Sequence, residues 1–273
     1  MEKKNQFKLD GKGISVLVFS FLFIALLLGL VVDFSLKYFN EDLTANMFFN
    51  LLSYPVIFVF PIFCFEFFKL KPENKKLFFN LSPKDFQTYV LIFPMMFGMM
   101  LVSEFFTSLV PIEGKYLGDL YQKFSLQMNF LISDQFATIV LTVLFAPIIE
   151  EIIFRGIIQK GLLNKGVKPW KAILISAFFF GLVHGNPWQF IGAVLLGSVL
   201  GLVYYKTKSL LLPILLHAFN NLVSSLLIFY ASTDSFGTTF KISEIQILGV
   251  GVVLFAVFFI LFLKKYPERL TQI

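Results

Sequence analysis

With 273 residues, of which 57% are hydrophobic and 15% charged, this chain carries far fewer charges than the roughly 25% of a soluble domain. Mean hydropathy is +0.80, which excludes a large soluble core and favours a polytopic membrane protein. The formal net charge of +6 does not indicate a nucleic-acid partner, because the lysines cluster between apolar runs, as in membrane topology signals.

A span needs about 20 mostly apolar residues. Candidate spans in chain order are Ile14–Leu36, Met47–Phe68, Phe86–Leu109, Phe130–Ile149, Trp170–His184, Trp188–Tyr205, Leu210–Tyr230 and Ile245–Leu263. The expected fold is all-α, a polytopic transmembrane helical bundle of about eight spans embedded in a lipid bilayer. The first apolar run is long and lacks a small-residue cleavage site, so no cleavable signal peptide is expected. The 38 phenylalanines are read as lipid-facing and interhelical filler. Cys64 is the single cysteine; it allows no internal disulfide and reads as a small buried hydrophobe.

The loops alternate in charge. Lys3, Lys4, Lys8 and Lys12 precede span one, and Lys69, Lys71, Lys75, Lys76 and Lys84 follow span two. Arg155, Lys160, Lys165, Lys168 and Lys171 follow span four, Lys206 and Lys208 span six, and Lys264, Lys265 and Arg269 span eight. The opposite loops carry Asp33, Glu41, Asp42, Glu113, Asp119 and Asp234. This pattern places both termini in the cytoplasm. The more polar stretch Tyr116–Asn129 fits either an amphipathic segment on the outer surface or an extension of span four.

Polar residues inside apolar runs mark the functional candidates. Glu150 and Glu151 end the run of span four, at what reads as the cytoplasmic edge. The helix is expected to run from about Phe130 past Gly156 to near Leu163, with Pro147 tolerated inside it. Glu151 and Arg155 are four apart and can pair on one face. Glu150, about 100° away, is left to point into a cavity. His184 ends span five, where Gly185-Asn186-Pro187 predicts a turn. His217 and Asn221, again four apart, share a face of span seven and need polar partners there. Asn220 is assigned to contact with a neighbouring helix.

Such a set supports two mechanisms. In one, Glu150, His184 and His217 ligate a divalent metal such as zinc, with Glu151 or another group as base. In the other, Glu150 and His184 activate water directly, while His217 and Asn221 stabilise the oxyanion. Both hydrolyse an acyl bond, most plausibly a peptide. Neither a His-Glu-x-x-His motif nor a Gly-x-Ser-x-Gly elbow is present. A depth mismatch accompanies the set, because His184 falls about 20 Å from the cytoplasmic start of its span and His217 about 10 Å from its own.

The pattern resembles a known family. Glu150-Glu151 with Arg155, Phe180 with His184, and His217 with Asn221 resemble the Glu-Glu-x-x-x-Arg, Phe-x-x-x-His and His-x-x-x-Asn motifs of the CPBP intramembrane proteases. These are also called the CAAX-protease and bacteriocin-processing, or Abi, family. The resemblance covers roughly residues 130–230. It marks a CPBP-like protease core over 130–230; with the spans read above, the chain is expected to carry N-terminal transmembrane helices over 1–129 and a C-terminal transmembrane helix over 231–273, within one integral membrane domain. It implies an endopeptidase acting on a membrane-associated peptide or protein, with Glu150, His184, His217 and Asn221 catalytic and Glu151, Arg155 and Phe180 supporting. Family members are commonly described as metalloproteases, and a metal-free glutamate reaction is described for relatives. The Phe-, Lys- and Asn-rich composition points to a bacterial plasma membrane. The alternative function is a non-catalytic immunity or peptide-binding membrane protein; a small transporter with an acid–histidine relay ranks below it.

Overall fold

The computed structural model describes residues 6–267 other than Asp234, and leaves out the side chain of Leu131. Lys3, Lys4, Asp234 and Arg269 of the charge pattern lie outside the described residues. Those residues form helices and connecting turns, with no strand among them. Seven helices are long and apolar enough to cross a membrane: α1 (Gly11–Phe39), α2 (Met47–Glu73), α3 (Phe86–Ser108), α5 (Gln135–Asn164), α7 (Pro187–Thr207), α8 (Leu211–Ala231) and α10 (Glu244–Lys265). A shorter apolar helix, α6 (Pro169–Leu182), completes the eight. α4 (Leu117–Ile132) and the short α9 (Phe236–Phe240) connect spans.

Local chemistry sets the helix starts. Asp10, Asp85, Asp134 and Asn186 each accept a backbone N–H three residues on, at 2.9, 3.2, 2.9 and 2.9 Å. Such caps satisfy donors that a helix start leaves free. Ser243 and Gln246 form a capping box at the start of α10. Asp134 also corrects an expectation. The chain does not run unbroken from Phe130 into span four; α4 ends at Ile132, and Asp134 starts α5 afresh. The stretch from Tyr116 is therefore a separate helix, whose Tyr121 and Phe124 pack on Trp188 at the start of α7.

The core lies between α3, α6, α7, α8 and α10, where Ile92, Met95, Val203, Leu212, Leu216 and Phe262 have almost no exposure. α1 pairs with α2 and leaves much of its surface apolar and exposed, as Phe19, Leu22 and Leu26 illustrate. Such a surface suits lipid.

The basic stretches meet at one end of the bundle. Leu9 N–H donates to Gly161 O at 3.0 Å, and Asn164 Nδ2 to Phe7 O at 2.8 Å. Lys69 binds Asp10 at 2.6 Å. Asn80 Nδ2 donates to Lys208 O at 2.8 Å, and Lys206 Nζ to Tyr266 O at 3.0 Å. Lys265 pairs with Asp85.

Candidate active site

α5 carries the acids and is irregular around them. π-helical turns span Ile139–Phe145 and Ile152–Gln159, with one ordinary α-helical stretch, Ala146–Glu151, between. π-turns inside α-helices are frequent at functional sites. Pro147 has a specific effect here. In the π register Ala146 N–H bonds Leu141 O, five residues back. The next donor in that register would be Pro147, which has no N–H. Thr142 O is thereby free, and it accepts Asn221 Nδ2 from α8 at 2.7 Å.

The helix continues to Asn164, so Glu150 does not stand at the edge of the bundle as the apolar run suggested. It lies about 20 Å from the Asn164 end at 1.5 Å per residue. His184, two residues beyond the last residue of the short α6, lies about 20 Å from Pro169 by the same measure. The acid and this histidine are thus at similar depth, and His217 reaches Glu151 from one turn or two into α8.

A ladder of polar side chains runs down one face of α5. Glu151, Arg155 and Gln159 are each completely buried. Arg155 Nη1 donates to Glu151 Oε1 at 2.7 Å, as the four-residue spacing predicts, and Nη2 to Gly197 O at 2.9 Å. Gln159 Nε2 donates to Gly201 O at 2.8 Å. Both carbonyls belong to α7, four residues apart. Glycine leaves room at each. A Cβ at Gly197 would stand 3.0 Å from Arg155 Nη2, and one at Gly201 2.8 Å from Gln159 Oε1. Burying a guanidinium is costly unless it is paired and hydrogen-bonded; these contacts partner both terminal nitrogens, while Nε has no partner among the described residues.

His217 joins the ladder to Glu150. Its Nδ1–H donates to Glu151 Oε1 at 3.0 Å, while its Nε2 lies 3.9 Å from Glu150 Oε2. Helix geometry turns the two acids apart, yet both reach the same imidazole, because its nitrogens lie on different edges of the ring. Phe180 packs edge-on against both histidines, with ring centroids 5.4 Å from His217 and 5.3 Å from His184. The Arg155 guanidinium lies 4.6 Å from the centre of the same phenyl ring. His184 Nδ1 bonds Phe180 O at 2.8 Å. A carbonyl only accepts, so Nδ1 carries the proton and Nε2 is the lone-pair side of the neutral ring.

Asn186 caps α7, and Gly185 before it takes φ of 70°, so the predicted turn is present. Asn220 donates to Asn221 Oδ1 at 2.9 Å; its bond is to its neighbour in α8, not to another helix.

The structure brings together Glu150, Glu151, Arg155, Phe180 and His217, with His184 against the other side of the site through Phe180. It turns Asn221 toward the α5 backbone. A metal set of Glu150, His184 and His217 does not fit this arrangement. Among the described residues no three His, Cys, Asp or Glu side chains cluster as ligands.

Two contributors escaped the sequence reading. Gln159 continues the 151–155 spacing by four and was legible as a third rung. Tyr54, on the second span, donates its hydroxyl to Glu150 Oε1. Its only signal is a phenol within an apolar helix, which needs a partner.

Residues 132–223 match the family described as "Type II CAAX prenyl endopeptidase Rce1-like". The chain is also similar to "Putative membrane peptidase YdiL" of Bacillus subtilis (strain 168), with 35% identity over 83 residues. That match covers 30% of this chain and 34% of the relative, so the chain spans about a third of the relative it matches. No solved structure matches.

Proposed function

From the premise that this integral membrane chain carries a core of the CAAX/CPBP protease family, we propose that it is an intramembrane endopeptidase. It hydrolyses a peptide bond in a membrane-associated protein or peptide. The observation that carries this reading is the buried linkage Arg155–Glu151–His217, with Glu150 facing the free edge of the same imidazole.

Glu150 is the general base. Its Oε2 has no hydrogen-bond partner among the described residues, although the atom is buried. A polar atom in that state is suited to a water, and contacts longer than 3.5 Å between polar groups are where bridging water belongs. A water beside Oε2 loses its proton to Glu150, assisted by the lone pair of His184 Nε2. Its oxygen adds to the scissile carbonyl.

His217 faces the resulting oxyanion. Glu151 holds Nδ1–H, so the protonated ring directs Nε2–H toward the space beside Glu150. Asn221 has a second amide N–H beyond the one given to Thr142 O, available to the same oxygen. The proton taken by Glu150 then passes to the leaving amine, and the peptide bond breaks. No step is assigned to a metal, because the donor set does not converge.

The alternation of loop charge supports a cytoplasmic position for the basic end of the bundle, and the composition suits a bacterial plasma membrane. The test is purified protein in detergent with a peptide library, comparing wild type with Glu150→Ala. Cleavage by wild type and none by the variant is expected. Equal cleavage by both removes Glu150 from the chemistry. Full biological activity in a His184→Ala, His217→Ala double variant would instead mark a peptide-binding or immunity protein.

A further inference from the structure

The second span contributes one polar group to the site that the proposed reaction leaves unused. Tyr54 hydrogen-bonds Glu150 Oε1, while Oε2 of the same carboxylate is unpartnered and faces His217. One oxygen is held and the other is presented. The tyrosine ring is itself fixed. It packs on Phe58 with centroids 5.3 Å apart, and Phe58 is buried among Ile149, Ile153, Phe154 and Phe180. On the opposite side of α2, Leu52, Val56 and Phe63 are exposed. Tyr54 and Phe58, one turn apart, therefore form the face that α2 turns toward α5.

A glutamate has three rotatable bonds and, in an apolar setting, a strong attraction to any nearby cation. Arg155 lies on the same helix and already binds Glu151. A phenol hydroxyl is a neutral donor. It anchors a carboxylate without neutralising it, through a charge-assisted bond. We propose that Tyr54 is a positioning residue for the base, fixing Glu150 so that Oε2 faces the reacting water and not the arginine. The inference rests on the reading of Glu150 as base. It gives the second span a direct part in the chemistry.

The test uses the full chain in detergent and a peptide cleaved by wild type. Tyr54→Phe keeps the ring and removes the donor. A misplaced reactive group slows the chemical step by up to about 100-fold, so kcat should fall between about tenfold and 100-fold. KM should stay within about twofold, since substrate binding does not use the hydroxyl. Thermal unfolding of Tyr54→Phe, Glu150→Gln and the double variant supplies a second readout. Directly bonded groups give non-additive shifts, and additive shifts would overturn the contact. Unchanged kcat in Tyr54→Phe, or a change in KM alone, overturns the positioning role while an inactive Glu150→Ala preserves the base assignment. An active Glu150→Ala sinks both.

Discussion

Arg155 is the residue on which the buried polar set turns. It has no exposure, and its guanidinium meets a carboxylate, a backbone carbonyl and a phenyl face at once. Replacement by leucine removes the guanidinium and leaves Glu151 buried with His217 Nδ1–H as its remaining partner. Breaking a buried pair in this way costs about 3–5 kcal/mol, so Arg155→Leu should unfold at markedly lower temperature in detergent. Arg155→Lys should recover little, because one ammonium cannot reproduce a fork that bonds two acceptors. Wild-type melting in either variant would show that the ladder is not a structural support. His217 sets a separate expectation. Its contacts with both acids imply that His217→Ala abolishes cleavage, while chelators leave the wild-type rate unchanged because the donors do not converge on a metal.

At the scale of elements, the irregular α5 is tied to α8 through a carbonyl that Pro147 leaves free. Removing the donor in Asn221→Ala strands Thr142 O at a cost of about 1–3 kcal/mol. Adding Pro147→Ala supplies an N–H in the register that Ala146 already follows. The double variant should therefore melt above Asn221→Ala alone; equal melting would disprove the account of Thr142. Packing of α5 on α7 makes a second demand. Gly201→Ala would press a methyl against Gln159 and Ile173, and overpacking of this kind costs about 1–3 kcal/mol. A drop in melting temperature, with loss of cleavage as the ladder shifts, is expected.

Across the whole molecule, a short N-terminal strap joins the α1–α2 pair to the end of α5. Phe7 and Leu9 are buried there, and Leu9 packs where a Cβ on Gly161 would stand. Asp10 closes the strap on Lys69 and also caps α1. The Lys69 ammonium and the Gly13 N–H hold its carboxyl below the usual carboxylate range. A depressed value means that the contribution to stability is complete above the unfolded value and is lost as the pH falls through the folded one. Between pH 5 and pH 3, wild type should therefore lose more thermal stability than Asp10→Asn, which lacks the titrating group; parallel losses would dismiss the clasp. Loop charge makes a further whole-chain prediction, that a reporter fused after α10 lies in the cytoplasm.

The helical class, the span positions and the pairing of Glu151 with Arg155 were written in the sequence, because lipid tolerates few backbone structures and four-residue spacing fixes a helix face. The break at Asp134 was also legible as a cap signal, though an apolar flank obscured it. Tertiary structure alone decided what stands opposite each face: Tyr54 at Glu150, one imidazole between two acids, Phe180 between two histidines, and Asn221 at the Thr142 carbonyl. Periodicity gives direction around a single helix axis. It carries no information on which distant helix lies in that direction, how deep its end is set, or where π-turns shift the register, since those depend on packing among all the spans at once.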